Sequence, residues 1–432
     1  MVNKLLEFLK NSPSPFHAVD NLCAMLRDAG FEELCENGQW DIRKGRSYYV
    51  TRNLSSLIAF RVPENEPECM LLSASHCDSP VFKIKEKSEL EVKGKYIQLD
   101  TEKYGGLVHV SWLDRPLSFA GRVLVKTGRG IETRLINCDS NSLIIPNVAP
   151  HQKRDINDGM KYNPQTDLVP LYGAYTAKGG FAKHVARLAH CAEEDIVGHD
   201  LFLYSRTEPC VWGENEEFLS AERLDDLECA FTSAQGFIKA APGRALTVLA
   251  VFDNEEVGST TKQGADSTFL TDTLSRACDM LGITTQEYRR LCASSFMLSC
   301  DNAHAVHPNH PELYDAVNCA YMNEGIVIKE SANQKYTTDG VSKAIFRLIL
   351  ERAGVPVQFF ANRSDMIGGG TLGNVSNRHF SLNTVDIGLA QLSMHSTYET
   401  AGTKDVQYMI DGVKAFYESV IKAEKDGTYS VI

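Results

Sequence analysis

The sequence predicts an α/β protein interrupted by a β-rich insertion, and three observations support this fold class. Three apolar runs are too short for helices and stop abruptly at polar residues, as buried strands of an α/β sheet do; they span 70–75, 246–252 and 295–300. Helix-like stretches lie at 222–240, 266–293 and 338–353. From 81 to 203 the chain instead shows short Val, Ile and Leu runs separated by turn-forming residues.

The length of 432 residues suits two domains, or one large domain that carries an insertion. We therefore predict a discontinuous α/β domain over 1–80 and 209–432 and an inserted β-rich domain over 81–208. The composition, 43% apolar and 23% charged, is typical of a folded globular chain.

Charge, hydropathy and cysteine usage exclude several classes of function. No apolar run approaches the roughly 20 residues of a membrane helix, and the first residues lack the continuous apolar core of a secretion signal, so we expect an amphipathic first helix there. The twelve cysteines are scattered without a C-x-x-C pair, which favours reduced thiols and a cytoplasmic location. A formal charge of −12 disfavours nucleic acid as a partner.

The first candidate site follows the run at 70–75, in the segment SASHCDSP. His76 offers an imidazole to a metal, and Asp78 offers an acceptor that would fix the tautomer of that imidazole. The alternative is a structural His and Asp pair with no ligand.

The second candidate site follows the run at 246–252, in FDNEEVGS. In the functional interpretation Glu256 binds a cation and Glu255 stays free as a general base, its pKa raised by burial or by neighbouring carboxylates. In the alternative, these acidic residues only form a solvated helix start, favoured by the helix dipole.

Further candidates lie in three more segments. Asp301 follows the third apolar run and is the preferred ligand there, since prolines spoil a regular helix through the nearby histidines at 304, 307 and 310. Asp225 lies in ERLDDLECAF and His395 in MHSTYETAG. Together the segments supply two histidines and at least three carboxylates, a donor set that suits paired zinc ions better than calcium or magnesium.

Competing motifs are weaker. GGGTLG at 368–373 matches G-x-G-x-x-G but does not sit between a strand and a helix, so we interpret it as a loop that contacts substrate, with Gly369 as a candidate. Neither H-E-x-x-H nor G-x-S-x-G occurs.

These motifs resemble those of the M18 aminopeptidases, the aspartyl aminopeptidase family. The matching segments follow the family's order from the N-terminus to the final helix: SPSPFHAV, SASHCDSP, RLDDL, FDNEEVGS, CDNAHAVHPNH and MHSTYE. The resemblance implies a zinc-peptidase α/β/α sandwich as the catalytic domain and a dimerisation role for the inserted β-rich domain. It also implies tetrahedral dodecamers built from dimers.

The resemblance also implies roles for single residues. Two zinc ions, with Mn²⁺ or Co²⁺ as alternatives, would be held by His76, Asp225 as the bridge, Glu256, Asp301 and His395. Glu255 would be the base and Asp78 would assist catalysis. His151, in PNVAPHQKRDIN, resembles a family histidine that lies near the metals and reaches a neighbouring subunit's site.

The expected reaction is removal of a single N-terminal residue from peptide substrates. Asp or Glu is the expected residue, with neutral residues as the alternative, and candidates for contact with the substrate side chain are Lys335, Arg363 and Asp365. The rival readings are another two-metal peptidase or deacylase, such as a dipeptidase, and a self-assembling scaffold that has lost catalysis.

Overall fold

The protein is described by a computed structural model covering residues 1–432. Nine helices are present: α1 (Val2–Asn11), α2 (Pro15–Asp28), α3 (Phe181–Leu188), α4 (Leu224–Lys239), α5 (Phe269–Met280), α6 (Thr285–Ala293), α7 (Gly340–Ala353), α8 (Leu372–Ser376) and α9 (Asp405–Glu418).

Twenty-two strands form four sheets: β1 (Glu32–Leu34), β2 (Ser47–Arg52), β3 (Ser56–Arg61), β4 (Met70–His76), β5 (Val81–Val92), β6 (Tyr96–Tyr104), β7 (Leu117–Thr127), β8 (Gly130–Asn137), β9 (Leu171–Ala174), β10 (Ile196–Ser205), β11 (Cys210–Trp212), β12 (Phe218–Ala221), β13 (Leu246–Phe252), β14 (Phe296–Cys300), β15 (Ala303–His304), β16 (Ile326–Glu330), β17 (Val357–Ala361), β18 (Asn383–Gly388), β19 (Ala390–Leu392), β20 (Glu399–Gly402), β21 (Ile421–Lys425) and β22 (Thr428–Val431).

The largest sheet has nine strands in the order β1-β2-β3-β13-β4-β14-β18-β16-β17. Its three central strands β13, β4 and β14 are mutually parallel and are the three apolar runs seen in the sequence. Their residues are fully buried, which explains why they read as continuous apolar runs and not as alternating patterns.

Helices cover both faces of this sheet. Alternate residues of a strand point to opposite faces: Leu249 and Val251 join the core formed with α4, α7 and α9, while Val248 and Ala250 join the core formed with α5, α6 and α8. This arrangement is an α/β/α sandwich and confirms the predicted fold class.

A six-stranded antiparallel sheet forms the β-rich region, in the order β8-β7-β10-β5-β6-β9. Its own core packs around Phe119, Trp112 and Leu201, and α3 contributes Phe181 to it. All six strands lie within 81–208, the segment predicted to be inserted. A dimerisation role for this region stays a prediction.

Two predicted helices are each divided. The stretch 266–293 forms α5 and α6. Gly282 adopts a left-handed φ of +77° after α5, and Thr284 caps the N-terminus of α6 through a capping box with Glu287. The N-terminal helix is divided by Pro13 and Pro15, and Pro15 becomes the first residue of α2. None of the helices combines the length and the apolar character needed to cross a lipid bilayer.

Candidate metal centre

The carboxyl ends of β4, β13 and β14 meet at one edge of the central sheet. His76 is the last residue of β4 and pairs in register with Phe252, the last residue of β13. Glu255 and Glu256 form a short turn after β13, and Asp301 follows β14 directly. This is the edge at which open α/β sheets bind their ligands.

Asp225, at the start of α4, lies between two histidines. Its Oδ1 is 3.6 Å from Nε2 of His76, and its Oδ2 is 3.3 Å from Nε2 of His395. The carboxylate is almost completely buried. Each oxygen of one carboxylate therefore faces a different imidazole, as a bridge between two cations requires.

The remaining candidate carboxylates lie close to Asp225 and its two histidines. Oε1 of Glu256 is 3.3 Å from Nε2 of His395. Candidate ligand atoms of His76, Asp225 and Glu256 lie within 4.8 Å of one another, and so do those of Asp225, Asp226 and Asp301. The structure thus brings together all five residues predicted as ligands from the α/β part of the chain.

Hydrogen bonds fix the tautomers of both histidines. Nδ1 of His395 is 2.7 Å from the carbonyl oxygen of Gly106, and Nδ1 of His76 is 3.0 Å from that of Asp78. Since a carbonyl can only accept, each Nδ1 carries a proton, and Nε2 is the nitrogen that faces Asp225. A metal that replaced any proton on Nε2 would therefore find both rings already oriented as ligands.

Asp78 organises the turn that carries the proposed base. Its Oδ1 and Oδ2 accept hydrogen bonds from the main-chain N–H groups of Glu255 and Glu256, both at 3.1 Å, and Tyr104 donates to Oδ2 at 2.6 Å. Asp78 is buried and is not among the candidate ligand groups.

Glu399 has a similar role on the opposite side. It accepts hydrogen bonds from the main-chain N–H groups of His395 at 2.7 Å and of Asp225 at 3.1 Å. Asp226 accepts from the N–H of His76 at 3.1 Å. The backbone of each histidine is thereby held by a buried carboxylate.

The centre concentrates more buried carboxylates than its own cations can balance. Burial, reinforced by Asp301 and Glu256, raises the pKa of Glu255 to about 8, and burial raises that of Glu256 to about 7. Burial raises the pKa of Asp301 as well. Although burial opposes it, the neighbouring imidazoles of His395 and His76 lower the pKa of Asp225. Cations bound here would relieve this repulsion.

Unpartnered atoms indicate where such cations fit. Oδ1 of Asp225, Oδ1 of Asp226 and Oε1 of Glu256 are buried and have no hydrogen-bond partner. Buried carboxylate oxygens are costly without a partner. Together with the two Nε2 nitrogens they form a mixed nitrogen and oxygen donor set, which fits zinc.

A cavity of about 230 Å³ opens onto the centre. Beyond the ligands, it is lined by Glu255, Asn302, Ala303, His304, Lys329, Tyr336, Phe360, Gly369, Gly370, Thr371 and Met394. Lys329, at the end of β16, is buried, and its Nζ donates to the carbonyl oxygen of Asp301 at 2.6 Å. Although burial opposes it, Asp301 raises the pKa of Lys329, which stays protonated.

Sequence reasoning did not identify Lys329, although a lysine ending the apolar run at 326–328 was a usable signal. The predicted Gly369 does line the cavity. Lys335 is exposed, and Arg363 forms a surface ion pair with Asp365. None of these last three is among the lining residues.

His151 lies on an exposed loop and is not among the residues around its own subunit's centre. His307 and His310 also lie outside the cavity, whereas His304 is part of its wall. The three loop histidines therefore do not form a metal cluster of their own.

Comparisons with known proteins agree with this geometry. A family model described as aminopeptidase I zinc metalloprotease (M18) matches residues 8–417. The chain is 43% identical over 422 residues to a Clostridium acetobutylicum protein named probable M18 family aminopeptidase 2, covering 96% of this chain and 98% of the relative.

Solved structures of similar proteins also superpose on this chain over most of its length. A chain of the cryo-EM structure of the Ape4 and Nbr1 complex superposes with a TM-score of 0.93 at 34% identity, covering 96% of this chain and 85% of that one. The S. cerevisiae mApe1 dodecamer superposes with a TM-score of 0.85 at 26% identity, covering 96% of both chains.

Proposed function

This chain belongs to the M18 family of zinc metallo-aminopeptidases, and from that premise we propose that it removes single N-terminal residues from peptides with a pair of zinc ions. The observation that carries the proposal is Asp225, whose two oxygens face His76 and His395 separately. The match to the M18 family model and the M18 relatives confirm the family resemblance and the enzyme class predicted from the motifs.

Two zinc ions would be held by His76, Asp225, Glu256, Asp301 and His395, with Asp225 shared between them. Candidate ligand atoms of His76, Asp225 and Glu256 cluster, as do those of Asp225 and Asp301, and His395 faces both Asp225 and Glu256. Zinc ions bound there would supply a water of lowered pKa and an electrophile for the peptide carbonyl. Mn²⁺ and Co²⁺ are alternative occupants of such mixed donor sets.

Glu255 is the proposed general base. It lines the cavity, and the hydrogen bond from its own N–H to Asp78 fixes its main chain. Its carboxylate accepts the proton of the attacking water and returns it to the departing amine, so that one residue serves both half-steps.

An acidic N-terminal residue is the proposed substrate. Lys329 is the buried cation of the cavity, and two of its three N–H donors reach the carbonyl oxygens of Asp301 at 2.6 Å and Asn302 at 3.4 Å. Its Nζ also lies 3.7 Å from Oδ2 of Asp301, and the third donor is the one proposed to meet a substrate carboxylate. At about 230 Å³ the cavity is smaller than the ~300–1,000 Å³ pockets that hold drug-sized ligands, which favours one residue at a time.

We further propose that the protein is a homo-oligomer, a tetrahedral dodecamer built from dimers through the region 81–208. Support comes from the dodecameric assembly of the similar mApe1 structure. The loop that carries His151 is exposed, as the proposed contact with a neighbouring subunit's centre requires. All twelve cysteines are unpaired, which supports a reducing, cytoplasmic environment.

The test is a panel of fluorogenic substrates with N-terminal Asp, Glu, Leu or Met, each with a free or an acetylated amine. We expect hydrolysis of the free Asp and Glu substrates, no hydrolysis of acetylated ones, loss of activity with a chelator and recovery with zinc. Cleavage of acetylated substrates, or full activity without metal, would contradict the proposal.

A further inference from the structure

We propose that the segment 104–111, where the six-stranded sheet leads back to the metal centre, is a positioning strap, and that Tyr104 is a positioning residue for the catalytic turn. The strap contacts both sides of the centre: Tyr104 hydrogen-bonds to Asp78, and Gly106 hydrogen-bonds to His395. This inference rests on the roles assigned to Asp78, Glu255 and His395 in the proposed function.

The direction of the Tyr104 hydrogen bond follows from its neighbours. Oδ1 of Asn254 accepts from Thr261 and Gln263, both at 2.8 Å, so its Nδ2 must face Tyr104, to which it donates at 2.9 Å. The tyrosine oxygen thus accepts from Asn254, and its only proton goes to Asp78 at 2.6 Å. Hydrogen bonds to a charged acceptor are the strong ones.

Asp78 passes this constraint to the centre. Its carboxylate holds the N–H groups of Glu255 and Glu256, and its Oδ1 is 3.3 Å from Nδ1 of His76. Through the Asp78 carboxylate, Tyr104 therefore positions the main chain of Glu255, the proposed base, and of Glu256, a proposed ligand. The same carboxylate lies beside the ring of His76, another proposed ligand.

The second half of the strap holds the opposite side. The carbonyl of Gly106 sets the tautomer of His395, the N–H of Val108 donates to the His395 carbonyl at 3.1 Å, and Ser111 accepts from the N–H of Thr397 at 3.1 Å. The strap also passes close to the turn that carries Glu256, because a Cβ on Gly105 would lie 3.2 Å from Cβ of Glu256. The geometry of the centre is thus coupled to the six-stranded sheet.

The first experiment compares wild type, Tyr104→Phe and Tyr172→Phe. Tyr172 lies in the same sheet and loses only a hydrogen bond to His184, so it is the matched control. At saturating zinc we expect Tyr104→Phe to lower kcat about tenfold and to leave KM within about twofold. In competition with a chromogenic chelator, its affinity for zinc should fall about tenfold, because hydrogen bonds that orient metal ligands contribute to metal affinity.

A second pair of variants tests the close approach. Gly105→Ala and Gly94→Ala both add a Cβ at a left-handed φ, +73° and +67°, at opposite ends of β6. Only the former meets Glu256, whereas the nearest atom at position 94 is the flexible end of Glu91 at 3.8 Å. We expect faster zinc release from Gly105→Ala alone.

The outcomes separate this inference from the proposed function. If wild type is active and Glu255→Gln is not, while Tyr104→Phe matches Tyr172→Phe in kcat and in zinc retention, the positioning role is overturned. A wild-type protein that neither retains zinc nor cleaves free N-termini overturns the proposed function, and this inference with it.

Discussion

Nε2 of His395 lies 3.3 Å from Oδ2 of Asp225, the carboxylate oxygen that does not face His76. We expect Asp225→Asn to lose both zinc ions, because the neutral amide can no longer bridge two cations. Zinc at 100 times Kd should stabilise wild type by about 2.7 kcal/mol per site through mass action. The melting temperature of wild type should therefore rise, and that of the variant should stay unchanged. Thermal shift and metal analysis measure this, with the exposed Asp411→Asn as control. Full zinc retention by Asp225→Asn would contradict the bridging role.

Removing the base should separate metal binding from turnover. Glu255→Gln keeps the size of the side chain and leaves the proposed ligands in place, so we expect normal zinc content and a fall in kcat of roughly 10² or more. The exposed Glu194→Gln is the control. Near-normal turnover in Glu255→Gln would remove this residue from the mechanism.

Lys329 and Lys335 are the two candidates for the residue that selects substrates with an acidic N-terminal residue. We expect Lys329→Met to reduce kcat/KM for an N-terminal Asp substrate by about 10–100-fold, the worth of a hydrogen bond to a charged group, with a much smaller effect on Leu. Lys335→Met tests the residue predicted from the sequence, which lies outside the cavity. Loss of Asp selectivity in Lys335→Met but not in Lys329→Met would reverse the assignment.

Gly388 of β18 lies against the main chain of Asp301, so a side chain at position 388 should disturb the metal centre. A Cβ on Gly388 would lie 2.0 Å from the main-chain oxygen of Asp301, and backbone cannot yield cheaply. We expect Gly388→Ala to lower the free energy of unfolding by about 1–3 kcal/mol and to weaken zinc binding. Gly340→Ala, which meets no atom within 4 Å, should do neither.

Stability should depend on pH through His17. Burial, with a contribution from Arg223 and against the effect of Asp20, lowers the pKa of His17 to about 4. The folded state therefore disfavours the protonated imidazole, so stability present above the unfolded pKa of about 6.5 is lost as pH falls toward 4.

His17→Gln isolates that contribution. Between pH 6.5 and pH 4 the melting temperature of wild type should fall more than that of the variant, with a difference of at most about 3 kcal/mol in unfolding free energy. Scans at one fixed heating rate provide the comparison. Parallel pH profiles would exclude His17 as the cause.

Much of the centre was predictable because it depends on strand ends. The run 246–252 coincides with β13, and the polar residues after each apolar run converge because parallel neighbours end at the same edge. The division of the 266–293 stretch was also present in the sequence, in Gly282 and the Thr284 and Glu287 capping pair.

The remaining features were not predictable from local patterns. Tyr104 reaches Asp78, and Gly106 reaches His395, across long separations in the chain, and neither belongs to a recognisable motif. The family resemblance indicates Lys335 as a candidate for contact with the substrate side chain, and that role stays a prediction. No motif marks Lys329, which the sheet order β18-β16-β17 brings beside Asp301.

The dispersal of the metal-binding side chains along the chain has a consequence for biosynthesis. His76 and His395 stand on opposite sides of the six-stranded sheet in sequence, and both must meet Asp225 before the centre exists. With the proposed ligands, a ribosome must therefore have synthesised the chain through His395 before the complete centre can form, so a shorter nascent chain would lack one of its ligands.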